Sequence, residues 1–294
     1  MSTPDLAECV RGWSPAPVVT SGSTDAWTVG AVSGLFDLPP VAGDGEDLPP
    51  LWHWFGFLDH PRQDQLGDDG HPAQGRFMPP VPHRRRMIAG GRLEVGAPMR
   101  VGETLERHST LRRCDVKSGR SGDMVLVTVR HEFRRDGTTI VGEEQDVVYR
   151  SQPPGQARGI ALDAPDADLP APGPEAVALT PDETLLFRFS ALTYNTHRIH
   201  YDLPYVTQVE GYPGLVVHGP LLALQLLEVP RRHRPGRPVR RFDFRLRRPV
   251  FAGQHVVARP AADRSSPEGS DDGLALEAGV PGAPPSVTGT VRGS

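Results

Sequence analysis

A chain of 294 residues and 31.9 kDa can bury a sizeable core, and at roughly 150 residues per domain it predicts two compact units. A formal net charge of -4 gives no basic footprint for nucleic acid, so a small-molecule substrate is expected. Lys117 is the only lysine, and Gly and Pro number 32 each, a bias toward Arg, Gly and Pro that discounts arginine clusters as signals in themselves.

Cys9 and Cys114 share neither metal-ligand nor redox spacing, which predicts free thiols in a reducing setting. No apolar run approaches the ~18 residues of a membrane span, and the start, Met-Ser-Thr-Pro-Asp-Leu-Ala-Glu, lacks the pattern of a signal peptide. A soluble cytoplasmic protein with no membrane partner is expected.

In chain order, the first element is Pro49-Pro50-Leu51-Trp52-His53-Trp54-Phe55-Gly56-Phe57-Leu58, where Pro followed by apolar residues suggests a buried helix. Residues 62–76, rich in Gln, Asp and Gly, read as a mobile surface loop. A strand is expected over residues 92–95, followed by Pro98, three residues and Gly102. Residues 124–133 alternate Val125, Val127, Val129, His131 and Phe133 with polar positions; Asp136-Gly137 then turns the chain into residues 139–149, a hairpin.

Residues 151–180 hold many Pro, Ala and Gly with little periodicity and read as a linker. Residues 184–189 (Leu185, Leu186, Phe187) predict a strand whose end carries Ser190 onward. Residues 220–229 are apolar nearly all round, which predicts a buried helix with Pro220 in its first turn. A strand over residues 242–247 leads to Pro249, three residues and Gly253, the same spacing as Pro98 to Gly102 at about half the chain length away. That repeat predicts a duplication. Residues 262–273 are loop-like, and two C-terminal strands are expected, over residues 274–278 and 286–292.

The densest functional signal lies in Ser190-Ala-Leu-Thr-Tyr-Asn-Thr-His-Arg-Ile-His-Tyr-Asp202 together with Val217-His218-Gly219-Pro220. Asn195, His197 and His200 sit where polarity changes abruptly, and some twenty residues later a helix N-terminus supplies free backbone N–H donors. Adding water across a double bond conjugated to a thioester needs a base for the water proton and a donor for the developing enolate oxygen. Imidazole suits the first task and a helix N-terminal amide the second, which makes His200 and Gly219 the candidates. His197 stands evenly between structural and functional roles, His218 could cap the helix, and Asp202 is expected to hold the loop. The arginine clusters at Arg84 to Arg86, at Arg231, Arg232 and Arg234, and at Arg240 and Arg241 could bind CoA phosphates or a substrate carboxylate, or be solvated surface.

These residues resemble the MaoC-like, hydratase-2 type of hot-dog family, within it the branch containing type 2 hydroxyacyl-thioester dehydratases and mesaconyl-C4-CoA hydratase. Leu48 to His53, Asp69-Gly70-His71-Pro72, Arg86-Met87, Ala89-Gly90-Gly91 and Gln145 to Arg150 extend the resemblance over most of the chain. It implies an α+β double hot-dog: a catalytically silent N-terminal domain over residues 1–150, the linker, and an active C-terminal domain over residues 181–294. The family signature Ser-Gly-Asp-x-Asn-Pro-x-His places His200 at the catalytic histidine and Asn195 where an Asp is expected. Asn can orient a water but cannot accept its proton. The resemblance further implies His197, Val217, His218, Gly219 and Pro220 around the substrate, with no metal or other cofactor. The implied substrate is an acyl-CoA or acyl-carrier-protein thioester such as mesaconyl-C4-CoA, and a homodimer is the assembly expected. A thioesterase is the first alternative, although Glu228 lies at the far end of the helix; a non-catalytic acyl-thioester-binding subunit is the second.

Overall fold

A computed structural model describes residues 5–119, 122–152, 155, 160–162, 173–262 and 273–293. Its described strands are β1 (Val18–Gly22), β2 (Arg84–Val95), β3 (Leu105–Gly119), β4 (Gly122–Arg135), β5 (Thr138–Ser151), β6 (Val177–Leu179), β7 (Arg241–Leu246), β8 (Val256–Pro260), β9 (Gly273–Gly279) and β10 (Val287–Arg292). All join one antiparallel sheet in the order β1-β3-β4-β5-β2-β7-β10-β9-β8-β6. Counted outward from the middle, β2-β5-β4-β3-β1 matches β7-β10-β9-β8-β6 strand for strand. The fold is a double hot-dog, and β2 and β7 join its copies through pairs from Gly90↔Arg245 to Glu94↔Arg241.

The Pro-x3-Gly repeat is one turn made twice, between β2 and β3 and between β7 and β8, with Gly102 and Gly253 at φ of 80° and 83°. The expected hairpin is β4–β5, and the positive φ of both Asp136 (49°) and Gly137 (78°) fits the turn that matches strand twist. Both C-terminal strands form as expected, while most of the loop ahead of them lies outside the described residues. Among the described residues, five α-helices accompany the sheet: α1 (Leu6–Val10), α2 (Ala26–Ser33), α3 (Glu183–Leu192), α4 (Leu203–Gln208) and α5 (Gly219–His233). Among the described residues, no helix is long and apolar enough to cross a membrane.

The predicted buried helix is α5, which lies across β6, β8, β9 and β10 with every residue from Leu221 to Pro230 buried. Its two polar members are tied down by their side chains, although Gln225 Oε1 is buried without a partner. Gln225 Nε2 donates to the carbonyls of Val177 (3.0 Å) and Val256 (3.1 Å), and Glu228 takes Arg231 and Arg232.

The first copy departs from expectation here. The segment after Pro49-Pro50 makes only a 3-10 turn, Trp52–Phe55, entered through Leu51 in the left-handed region (φ 70°). Gly56 ends it, packed so closely on Ser23 that a Cβ would lie 2.4 Å from the Ser23 carbonyl oxygen. Side chains hold this short turn to the sheet. His53 Nε2 lies 2.8 Å from Glu143 Oε2, while Trp54 Nε1 and Gln145 Nε2 each donate to Oε1 at 2.7 Å. Burial alone would raise the Glu143 pKa; the His53 hydrogen bond and charge, with His131 and Gln145, hold it down to about 2.

Two further expectations are corrected. Residues 184–189 belong to α3, because Asp182 Oδ1 caps the amide of Leu185 (2.7 Å) and Leu185, Leu186 and Phe189 then share one buried side at helical spacing. The linker reading also ran too far, since Val177–Leu179 is edge strand β6, paired with β8. Much of the remaining linker, residues 153–154, 156–159 and 163–172, lies outside the described residues.

Replacing Glu143 by Leu should destabilise the protein by roughly 3–5 kcal/mol, because it strands a buried imidazole and an indole N–H. Urea unfolding of the variant measures this; a loss under about 1 kcal/mol would show that the Glu143 cluster does not anchor the first copy.

Candidate active site

The site forms where α3 ends. Tyr194 turns into the left-handed region (φ 49°), and the Asn195 amide donates back to the Ser190 carbonyl at 2.9 Å. Asn195 Oδ1 accepts the His197 N–H at 3.0 Å, a local turn that uses its carbonyl oxygen and leaves its NH2 as the available group. A 3-10 turn, Arg198–His200, follows, and Asp202 secures it. One Asp202 oxygen caps Tyr205 N (3.0 Å) and the other takes Arg198 Nε and Nη2 at 3.0 and 2.8 Å.

His200 is buried, and its Nδ1 lies 2.6 Å from the Val216 carbonyl oxygen. Only an N–H satisfies a carbonyl, so Nδ1 carries the proton and the Nε2 lone pair is left for chemistry. The His218 ring stacks on His200 with centroids 3.6 Å apart at 18°. His218 is itself held by Ser190 Oγ, 2.9 Å from its Nε2, and by the Phe189 ring. The sequence allowed His218 a capping role; its side chain makes no capping bond and instead backs His200.

The row of imidazoles continues through His197, edge-on to His200 at 5.6 Å, to His71 at 4.1 Å from His197. His71 comes from the first copy, in a segment read from sequence as a mobile surface loop. That reading is corrected: residues 68–71 dock on the second copy. Arg198 N donates to the Asp69 carbonyl and Arg198 Nη1 to the Asp68 carbonyl, both at 2.9 Å, and Thr196 Oγ1 donates to the Gly70 carbonyl. Gly70 has φ +85°, and a Cβ there would lie 1.9 Å from the Thr196 carbonyl oxygen, so only glycine fits the dock. Asp69 and His71 are thus site neighbours that sequence reasoning missed. The one local signal was Asp69-Gly70-His71-Pro72, a motif of the family resemblance.

Burial keeps these imidazoles neutral. It lowers the His200 pKa to about 4 and takes His197 and His218 well below the ordinary value, helped by their neighbouring histidines. For His71, burial outweighs the hydrogen bond to Asp69. Asp69, His71 and His197 present ligand atoms within 4.8 Å of one another, a spacing a metal ion could use. Two guanidiniums oppose a cation there: Arg84 acts on Asp69 and His71, and Arg86 on His71 and His197.

Gly219 opens α5 with Pro220 behind it, both partly exposed. The first N–H groups of a helix have no partner within it and carry the positive end of its dipole. A Cβ on Gly219 would fall 2.4 Å from Leu246 Cδ1, so any larger residue would push the Leu246 side chain at the end of β7 aside. Val217 lies just ahead of this helix start. Its N–H donates to the Val250 carbonyl at 2.8 Å and its side chain is buried, so it offers no backbone donor for a ligand.

A sequence profile, hydroxyacyl-thioester dehydratase type 2, matches residues 51–252. The chain belongs to this family. Among its relatives, mesaconyl-C(4)-CoA hydratase of Chloroflexus aurantiacus is 46% identical over 85% of this chain and 90% of its own length. Mitochondrial hydroxyacyl-thioester dehydratase type 2 of Schizosaccharomyces pombe is 27% identical over 70% and 75%. A MaoC-like dehydratase from Phytophthora capsici superposes with a TM-score of 0.67 at 13% identity, covering 99% of each chain. HtdX of Mycobacterium tuberculosis does so at 0.61 and 16%, covering 95% of this chain and 100% of its own. A hydroxyacyl-thioester dehydratase is a hydro-lyase acting on acyl thioesters, and this MaoC-like protein is one.

Histidines held neutral in the folded state bind fewer protons than in the unfolded chain, whose pKa is near 6.5. Stability should therefore fall as pH drops below 6.5, by about 1.4 kcal/mol per pH unit for each histidine that stays neutral. His71, His131, His197, His200 and His218 all act in this direction. Unfolding free energies at pH 7 and pH 5 test this; equal values would mean the cluster is not buried neutral.

Proposed function

We propose that the second copy hydrates an enoyl thioester, or dehydrates the 3-hydroxy compound, at His200, with a branched C4-dicarboxyl CoA of the mesaconyl-C4-CoA type as substrate. The carrying observation is the Val216 carbonyl bond to His200 Nδ1, which leaves Nε2 as a buried, neutral base. Water donates one hydrogen bond to His200 Nε2 and accepts one from the Asn195 NH2. Its oxygen attacks C3 while His200 takes the proton, and the Gly219 N–H, with the α5 dipole, stabilises the enolate oxygen. His200 then returns the proton at C2, giving the 3-hydroxyacyl thioester with no redox change.

Asn195 acts here as an orienting donor, and His218 and Ser190 as positioning residues that fix the plane of His200. His197 and Pro220 line the acyl side, and Val217 supports them through its bond to Val250. The 46% identity to mesaconyl-C(4)-CoA hydratase supports the CoA thioester and the acyl type. Glu228 argues against a thioesterase: it is nine residues along α5 from Gly219 and occupied by Arg231 and Arg232, away from the position a helix carboxylate would need.

His200→Ala should lower kcat/KM for hydration by ~10²-fold or more, read as loss of enoyl absorbance. A base with a pKa of about 4 is neutral above that value, so kcat/KM per folded enzyme should show no decline around pH 6.5 and should hold as far down as the protein stays folded. Activity that survives His200→Ala within threefold, or thiol release without loss of enoyl absorbance, would overturn the reading.

A further inference from the structure

Three consecutive arginines begin β2, and their surroundings differ. Arg84 Nη1 and Nη2 donate to the carbonyls of Pro79 (3.2 Å) and Ala73 (2.8 Å), and its charge faces Asp69. Arg85 points to the second copy and pairs with buried Glu210 at 3.0 Å. Arg86 has neither: among the described residues its guanidinium makes no hydrogen bond or ion pair, and its Nε is buried without a partner.

The position of Arg86 gives that unmet charge a purpose. It sits opposite Tyr149 on β5, and its charge acts on Tyr149, His71 and His197. Four residues further along β2, Gly90 pairs with Arg245, and the next residue, Leu246, is the one that touches Gly219. One end of the acyl site is therefore the α5 N-terminus, and β2 leads from it to Arg86. Among the described residues, the carboxylate grouped with the imidazoles is Asp69, and it is already met by Arg84 and His71. Arg86 is half-buried with its Nε out of water and unpartnered, a cost that a ligand anion on the guanidinium would offset.

We propose that Arg86 is the carboxylate subsite of this enzyme, receiving the distal carboxylate of a dicarboxylic acyl group whose thioester end lies at Gly219. The subsite rests on the hydratase reading above and gives its first copy a part in choosing the substrate. Arg86 discriminates acyl groups by charge; the CoA moiety, common to all substrates, lies elsewhere.

The test compares mesaconyl-C4-CoA with crotonyl-CoA in hydration, and succinyl-CoA with butyryl-CoA in equilibrium binding. Each pair differs in a distal carboxylate and shares the CoA. Arg86→Met should lower the dicarboxyl-to-monocarboxyl ratio of kcat/KM by about 30- to 100-fold, the weight of one buried charge-assisted contact, and shrink the succinyl-over-butyryl preference similarly. Arg86→Lys should recover part of both ratios. Unchanged ratios, or equal losses on both members of each pair, would overturn the subsite. If the wild-type protein hydrates neither enoyl-CoA, the hydratase reading fails; the binding pair still decides whether Arg86 selects a carboxylate.

Discussion

The pairing of β2 with β7 is the constraint on which the rest depends. Five residue pairs, Gly90 to Glu94 against Arg245 to Arg241, turn two hot-dog sheets into one and fix how the copies face each other. Because side chains alternate along a strand, a one-residue slip would send Arg86 to the opposite face and move Leu246 away from Gly219. Gly90 and Gly91 belong to this junction: a Cβ on Gly90 would lie 2.3 Å from the Phe244 carbonyl oxygen, and one on Gly91 2.8 Å from the Phe244 ring. The seam is thus built of backbone contact that larger residues would pry open. Docking of residues 68–71 onto Thr196 and Arg198 then closes the same interface from the loop side.

This seam explains why the copies diverged. The second copy keeps a fifteen-residue α5, whose N-terminus supplies a donor and whose buried length holds the donor in place. In the first, the corresponding space holds the Glu143 carboxylate with His53, Trp54 and Gln145 gathered on it, and a single 3-10 turn suffices. An anion so fully hydrogen-bonded is structurally useful and chemically spent. The first copy extends a loop and the start of β2 across the seam, bringing His71 and Arg86 to its partner.

Local patterns were legible and the seam was not. The β4–β5 hairpin could be read from alternating Val125, Val127 and Val129 and from Asp136-Gly137, and α5 from its unbroken apolar run after Pro220, because both signals are contained in about a dozen neighbouring residues. The Pro-x3-Gly repeat even revealed the duplication. Residues 184–189 misled because Leu-Leu-Phe is too short for its period to show; the cap at Asp182 was the better signal. Docking of Asp69 and His71 left only the Asp69-Gly70-His71-Pro72 motif as a local trace, and that motif does not name its partners, Thr196 and Arg198, more than a hundred residues away. His200 could be named from its motif, but its tautomer could not, because the Val216 carbonyl that sets it comes from a different loop.

An Asn in place of a catalytic Asp is then less of a loss than it looked in the sequence. A carboxylate at residue 195 would put a negative charge beside buried imidazoles and draw protons onto them, raising their pKa values. With a neutral amide there, burial outweighs the Val216 carbonyl bond, and His200 remains unprotonated near pH 7. The amide also leaves the positive field of Arg86 unopposed in the imidazole row, apart from Asp69, which Arg84 already faces. For a substrate bearing its own carboxylate, a second negative charge at residue 195 would compete with it for that field. On the proposed reading, the neutral Asn195 and the unpaired Arg86 belong together: the negative charge absent from residue 195 is the one a dicarboxylic substrate would supply.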